Sequence, residues 1–435
     1  MKQIMPRQTF PTYADLCGWN AMLPPRQPRA TLSTDTSTDY AVIGAGYTGL
    51  AAARRLHELD PQARVMVVEA TTVGEGSSAR NSGFTGADAL PRTATLEGAE
   101  KARRQSALYA EAFDWLVGLI RDHDIRCDLQ QVGSIRAAAT AAGEASLREV
   151  VKVAQANHLA HKVLDRAAIA EQIGTSYYRF GLYLNDTYLL QPAALIRGLA
   201  DALPDAIMLH ENTPVRALHR SGTGWELAID GGVIRARQVV LANNGFIRSF
   251  GYLGSRMATI YTYAAVTEAL PEADIPHLGQ APAWGLLPSH RLGTTLRRIG
   301  RDRVMVRSLY AHEAELPHAQ VQEKLRDRFE RRWPDLRHVP FEYVWGGTTA
   351  LTMNGAPWWG QLEEGLYASG GCNGSGIAKG TMLGRRLAEL MRGHGNTAEV
   401  PEVMGTANWI APEPFRSIGF NLISAIESRK AGLES

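Results

Sequence analysis

The chain is poor in the features that mark several large protein classes. Its three cysteines, Cys17, Cys127 and Cys372, stand far apart and form no CxxC. That argues against a disulfide scaffold or a zinc ribbon and fits a reducing compartment. No apolar run reaches the length of a membrane span. Met1-Lys-Gln-Ile-Met-Pro-Arg7 lacks the apolar core of a signal peptide, so a soluble, cytoplasmic protein is expected. An excess of one charge is also missing. Lys and Arg number 46 against 44 Asp and Glu, for a net charge of +2, and no basic block stands out. Nucleic acid is therefore not an expected partner. There is no HExxH and no GxSxG nucleophile elbow. His158 and His161 are spaced for one helix face, but no third ligand follows at metal spacing. They read as solvated surface histidines, and no metal is expected. No internal repeat is present. With 435 residues, 45% hydrophobic and 21% charged, the chain suits two closely packed domains of ordinary globular composition.

Glycine is plentiful, and its placement is informative. Tyr40-Ala-Val-Ile is an apolar run that ends in Gly44-Ala-Gly46-Tyr47-Thr48-Gly49, and an Ala/Leu segment of helical character follows at once. Gly44 permits the tight turn, Gly46 leaves room for a pyrophosphate, and Gly49 lets helix and strand pack closely. A lone GxGxxG is weak evidence. Here a second strand, Arg64-Val-Met-Val-Val-Glu69, ends in an acid 25 positions after Gly44, where a carboxylate accepts hydrogen bonds from a ribose. Together with Tyr47, Thr48 and Ala70, these residues form a candidate βαβ dinucleotide site.

Residues 1–38 are rich in proline and read as an arm on the surface that carries Tyr13 and Trp19 into a groove. Helical spacing runs from about Thr95 to Asp124 and again over 144–156. Between 205 and 245 a short strand, Ala206–His210, precedes a meander of three strands joined by glycine turns, which closes in Val239-Val-Leu-Ala242. Strands are expected at Thr259–Val266, Gly293–Ile299, Arg303–Tyr310 and Phe341–Trp345, with a hairpin at Gly300-Arg-Asp302. One helix, His318 to Arg332, crosses that region. A strand at Gly365–Gly370, a glycine loop and a helix from Ile377 to Met391 complete the pattern.

In this order the segments resemble the D-amino-acid-oxidase-like flavoprotein superfamily, and within it the branch typified by gamma-glutamylputrescine oxidase and related amine oxidases. Four segments from about residue 40 onward carry the resemblance. The first is the fingerprint with Glu69. The second is Val73-Gly-Glu-Gly76-Ser77-Ser78-Ala-Arg80-Asn81-Ser82-Gly83-Phe, which is similar to the family loop along the flavin pyrophosphate. The third is the 212–245 meander, where the resemblance implies that Val215 meets the adenine through its backbone and that Ala242 and Asn243 close the segment. The fourth joins Trp345-Gly346-Gly-Thr-Thr and Ala356-Pro-Trp-Trp-Gly360 to Tyr367-Ala-Ser-Gly-Gly-Cys372-Asn373-Gly374-Ser375-Gly376-Ile377-Ala378. There a glycine loop and a helix N-terminus approach the pyrimidine end of the flavin, where the positive helix end stabilises negative charge. Pro412-Glu-Pro-Phe-Arg-Ser-Ile-Gly419 also resembles the branch's tail.

The resemblance implies an α/β fold: a Rossmann-type FAD-binding domain with an α+β second domain built on an antiparallel sheet that binds substrate. Its expected boundaries are an arm over 1–38, FAD-binding parts over 39–95, 191–250 and 346–435, helical and substrate-domain segments over 96–190, and the substrate sheet over 251–345. The implied chemistry is FAD-dependent oxidation of a C–N bond in an amine or amino acid. Hydride passes to flavin N5, the imine hydrolyses, and O2 or another acceptor reoxidises the cofactor. No strong base is required, and a dry, aromatic-lined pocket is expected. Tyr261, Tyr263, Arg297, Tyr310 and Trp345 are the candidates for that pocket. Arg297 would clamp a substrate carboxylate, with Arg298 pointing the other way. Asn81 and Asn373 suit structural or flavin contacts. Lys379 reads as solvent-facing, and Cys372 does not align with the cysteine that tethers flavin in some relatives, so noncovalent FAD is expected. The competing readings are a flavin monooxygenase using NAD(P)H and a noncatalytic or RNA-modification partner flavoprotein. The first lacks its later G-D segment here, and the second lacks a basic stripe.

Overall fold

The computed structural model describes residues 8–87 and 95–435. Two eight-stranded sheets dominate it. In the first, Thr36–Ile43 lies between Gly232–Leu241 and Val65–Val68, parallel to both, and Ile207–His210 extends the parallel row. All four residues of Val65–Val68 are buried, as are Tyr40 to Ile43, which is why these strands read as continuous apolar runs. Gly232–Leu241 shares its other edge between two further strands. Its first half pairs antiparallel with Gly224–Ile229, and its last three residues pair parallel with Leu366–Gly370. The meander is present, but its first strand starts at Ala217. Pro214 has no N–H to give a ladder, so the chain around Val215 stays outside the sheet.

The second sheet is larger than expected from sequence. Phe341–Leu351, Ala258–Thr267, Arg303–His312 and Thr295–Ile299 form its antiparallel half, with Gly300 at φ +55° in the expected hairpin. Gly285–Pro288, Ser134–Ala138, Phe180–Leu184 and His161–Asp165 complete it. These strands are short, and the last lies exposed at the edge, so neither periodicity nor turn glycines announced them. A small three-stranded sheet joins Phe84–Thr85, Tyr188–Leu189 and Gln130–Gln131.

The helices follow their local signals. Leu96–Asp122 starts at Thr95, whose hydroxyl accepts from Gly98 N–H, and Ala141–Ala156 starts at Thr140 in the same way. That second helix stops at Ala156, so His158 and His161 share no helix face. His318–Arg332 and Ala378–Met391 lie where the spacing put them. No helix among the described residues is long and apolar enough to cross a membrane.

The proline-rich arm is anchored more deeply than expected. Most of residues 24–37 are exposed, but Cys17 and Trp19 are each 1% exposed and belong to the main core. Trp19 donates from Nε1 to the Asn81 carbonyl at 2.8 Å and meets Trp345 edge-on at 6.3 Å. Farther along, Arg26 binds the fully buried Glu211 carboxylate through two contacts of 2.8 Å. A tryptophan buries a large apolar area, and that outweighs the freedom of a polar linker. At the other end, the tail forms a 17-residue helix, Phe415–Ala431, that the sequence had not announced.

Candidate functional site

A cavity of about 790 Å³ lies between the two large sheets, within the range of about 300–1,000 Å³ of ligand sites. One end is made by the C-terminal edge of the parallel strands. Gly44 takes φ +104°, a turn open mainly to glycine, and its N–H bonds the Val68 carbonyl at 2.8 Å. The Tyr47–Leu59 helix starts here with Gly46 as N-cap, with no capping side chain and no acid in its first turn. A Cβ on Gly49 would lie 1.9 Å from the Gly44 carbonyl oxygen, so only glycine permits this packing. The Glu69 carboxylate accepts from Ala45 N–H at 2.9 Å and from Thr71 N–H at 3.2 Å. Burial pushes its pKa up, and the amides partly oppose the shift.

The glycine-serine loop forms the next wall. Gly76, Ser77, Ser78, Arg80, Asn81 and Ser82 all line the cavity. Ser77 shares hydrogen bonds with Tyr13 and Thr348, and the Arg80 guanidinium sits 3.9 Å over the Tyr13 ring while donating to the Gly346 carbonyl. Asn81 braces the loop by donating to the Ser78 carbonyl and accepting from Gly83 N–H. Opposite stand Ala70, Val215, Ala242 and Asn243. Asn243 Oδ1 is buried without a partner and lines the cavity, as does the Thr262 hydroxyl. The third wall is Gly374, Gly376 and Ile377 at the uncapped start of the Ala378–Met391 helix. Ser375 and Ala378 belong to the same turn without lining the space, and Gly49, Gly83 and Gly346 stand just behind the surface. Asn373 also lines the cavity and braces the loop: it accepts from Thr352 N–H and donates to the Gly371 carbonyl.

The substrate candidates fare differently. Of five, only Tyr310 lines the cavity. Alternation decides the tyrosines: Ile260 and Thr262 face the cavity, while Tyr261 and Tyr263 point into the second core. There Tyr263 accepts from Leu316 N–H at 2.6 Å, and burial raises both phenols to about 12. Trp345 is 1% exposed behind Trp19. Arg297 is buried too, covered by the glycine-serine loop, and donates to the carbonyls of Ser82 and Leu190 at 3.0 and 2.7 Å. Burial lowers its guanidinium to about 9, which leaves it charged at neutral pH. Arg298 caps the carbonyls of Ala281 and Arg301 instead. Neither arginine lines the cavity. Lys379, expected at the surface, is 6% exposed.

Three arginines line the cavity, Arg80, Arg291 and Arg307, and Nη1 of Arg307 donates to the Tyr310 hydroxyl at 2.8 Å. Arg307 and Tyr310 are three residues apart yet share a face, because a β-bulge between the Thr262↔Tyr310 and Tyr263↔Ser308 pairs takes up Leu309 at φ +64°. Tyr310 in turn donates to the Arg291 carbonyl at 3.0 Å. Sequence reasoning also missed Thr9, Phe10 and Pro11 of the arm and Phe420, Ile423, Ser424 and Glu427 of the tail helix, all lining residues. Only the aromatic content of the arm hinted at this.

Comparisons with known proteins agree with this geometry. The profile of the DAO family, described as FAD dependent oxidoreductase, matches residues 39–390. The probable oxidoreductase OrdL of Rhizobium meliloti is 26% identical over 385 residues, 86% of this chain and 88% of its own. Gamma-glutamylputrescine oxidoreductase of Escherichia coli is 25% identical over 373 residues, 84% of this chain and 86% of its own. Among solved structures, glycine oxidase from Geobacillus kaustophilus matches with a TM-score of 0.70 at 20% identity, over 83% of this chain and 96% of that one. NikD, described as an unusual amino acid oxidase, matches with a TM-score of 0.67 at 17% identity, over 87% of this chain and 99% of that one. The residues present fit FAD: two uncapped helix N-termini face one cavity, a glycine at position 46 leaves its wall open, and the orphaned Asn243 oxygen awaits a donor. By its matched profile and by this site, the chain belongs to the DAO family of FAD-dependent oxidoreductases.

Proposed function

We propose that the protein oxidises a C–N bond in a small amine or amino-acid-like substrate and passes the electrons through noncovalent FAD to O2 or another acceptor. The observation that carries this reading is the polarity of the cavity: glycine loops and helix N-termini at one end, Arg307 and Tyr310 among apolar residues at the other. When bound, FAD supplies the two-electron acceptor. Gly46, Ser77 and Ser78 would hold its phosphates and Glu69 its ribose, with the Arg80 guanidinium bracing the loop from behind. The Ala378–Met391 helix N-terminus would stabilise negative charge on its ring.

The described lining offers no free base. Among the described lining residues there is no histidine, and the two carboxylates, Glu69 and Glu427, are already engaged by amides and by cations. That suits direct removal of hydride from an amine that arrives uncharged. Arg307 would orient a substrate carboxylate, with Tyr310 fixing the guanidinium. Gamma-glutamylputrescine oxidoreductase and glycine oxidase among the similar proteins support an amine or amino-acid substrate.

The test is anaerobic bleaching of the bound flavin by amines, N-methyl amino acids and D-amino acids. Bleaching by one class, with peroxide on readmitting air, is the expected result for an oxidase. Bleaching without peroxide identifies a dehydrogenase. Bleaching by NADPH alone would sink the proposal in favour of a monooxygenase.

A further inference from the structure

The family profile ends at residue 390, yet the cavity is closed by a helix that begins 25 residues later. Phe420, Ile423, Ser424 and Glu427 fall at positions that share one stripe of the Phe415–Ala431 helix, and all four line the cavity. Of this helix's 17 residues only Ala431 is buried. The helix has no core of its own and rests on the cavity like a strap.

Its attachments are at the ends and at one clasp. Before the helix, Ile410 N–H bonds the Ser255 carbonyl at 2.7 Å, and in its first turn Arg416 donates to the Gly254 carbonyl at 2.8 Å. Beyond it, Glu434 is 2% exposed and accepts from the N–H groups of Ala139 and Thr140. In the middle, the Phe420 ring stacks on His312 at 4.9 Å. The clasp is Glu427, whose carboxylate meets Arg291 Nε at 3.0 Å and His290 Nε2 at 3.4 Å. Both partners lie in the turn between Gly285–Pro288 and Thr295–Ile299. Tyr310, partner of Arg307, bonds the carbonyl of the same Arg291.

We propose that the Phe415–Ala431 helix is the specificity element of this oxidoreductase: Phe420 and Ile423 limit the bulk of the substrate's side chain, and the Glu427 clasp sets how far the helix closes over the flavin. The proposal rests on the amine-oxidation reading for its substrate class. An apolar wall discriminates by volume, since a side chain one or two methylenes too large must displace the wall. A helix with a single buried residue at its end yields more readily than a core element. Substrates with a carboxylate for Arg307 and a compact apolar side chain are the class that fits beneath it.

The experiment compares the holoenzyme with Ile423→Ala, Ile423→Trp and Glu427→Gln. Glycine, alanine, norvaline, norleucine and phenylalanine are assayed as both enantiomers, each beside its decarboxylated amine. Flavin content and Tm are measured for every variant. Acrylamide, a neutral quencher, reads exposure of the flavin independently of turnover. Ile423→Ala is expected to move the kcat/KM optimum toward larger side chains and Ile423→Trp toward smaller ones, each by about tenfold or more in the large-to-small ratio. Ile423→Ala and Glu427→Gln are expected to increase quenching, with flavin content retained. A uniform change across the series would overturn the specificity role, because a merely structural helix moves all substrates together. If no amine or amino acid bleaches the wild-type flavin, the amine reading falls, and quenching still decides closure. Quenching unchanged in both Ile423→Ala and Glu427→Gln would overturn the proposal outright.

Discussion

A Cβ added at Gly46 would come within 2.6 Å of Ser78 Oγ, in the wall proposed to hold the phosphates. Gly46→Val is therefore expected to yield a folded but colourless protein; a yellow preparation would remove the phosphate assignment. At Arg307 the expected effect is selective. Arg307→Leu removes a charged hydrogen bond worth about 1.5–3 kcal/mol, or roughly 10- to 150-fold, so KM should rise for carboxylated substrates and stay near wild type for simple amines. Equal losses on both would refute the clamp. Arg297→Met should behave in the opposite way. It strips a donor from the carbonyls of Ser82 and Leu190, at a cost of about 1–3 kcal/mol in denaturant stability. The ratio between carboxylated and simple amines should not move. The contrast between the two arginines comes from what covers them: one faces open space and the other faces the loop behind Ser82.

Elements at the two chain ends do more than their composition announced. The arm's Arg26 is the side-chain partner of a carboxylate with no solvent access, Glu211, which also accepts from Val73 N–H beside the glycine-serine loop. Arg26→Ala leaves that charge buried, and the expected loss is about 3 kcal/mol of unfolding free energy, measured by urea titration of the holoenzyme. A loss near zero would mean that the backbone amides alone hold Glu211. Strand elements show the complementary lesson. Ala258–Thr267 and the first half of Phe341–Leu351 were legible from their β-branched and aromatic content, whereas Ser134–Ala138 and Gly285–Pro288 were not. Those strands exist because neighbours on both sides supply ladder partners, and no local signal encodes that.

For the whole molecule, a cofactor bound in the cavity between the sheets would link them. A ligand that binds only the folded state stabilises it by about 2.7 kcal/mol at one hundred times its Kd. FAD added to stripped protein is therefore expected to raise Tm in step with its concentration, and a Tm insensitive to FAD would contradict a site made by both sheets. The βαβ unit, the meander, the glycine-serine loop and the Ala378–Met391 helix could all be read from the chain, because each is a local pattern: an apolar run, glycines at fixed offsets, an acid at the next strand end. The direction of side chains on the second sheet could not. A single bulge at Leu309 puts Arg307 and Tyr310 on one face, and alternation turns Tyr261 and Tyr263 away from it. The sequence by itself determined the family and the nucleotide end of the cavity, since backbone conformation there depends on residues within a few positions of one another. Only the tertiary structure decided the substrate end, because its walls come from the arm, two sheets and the tail helix, segments hundreds of residues apart whose meeting depends on packing.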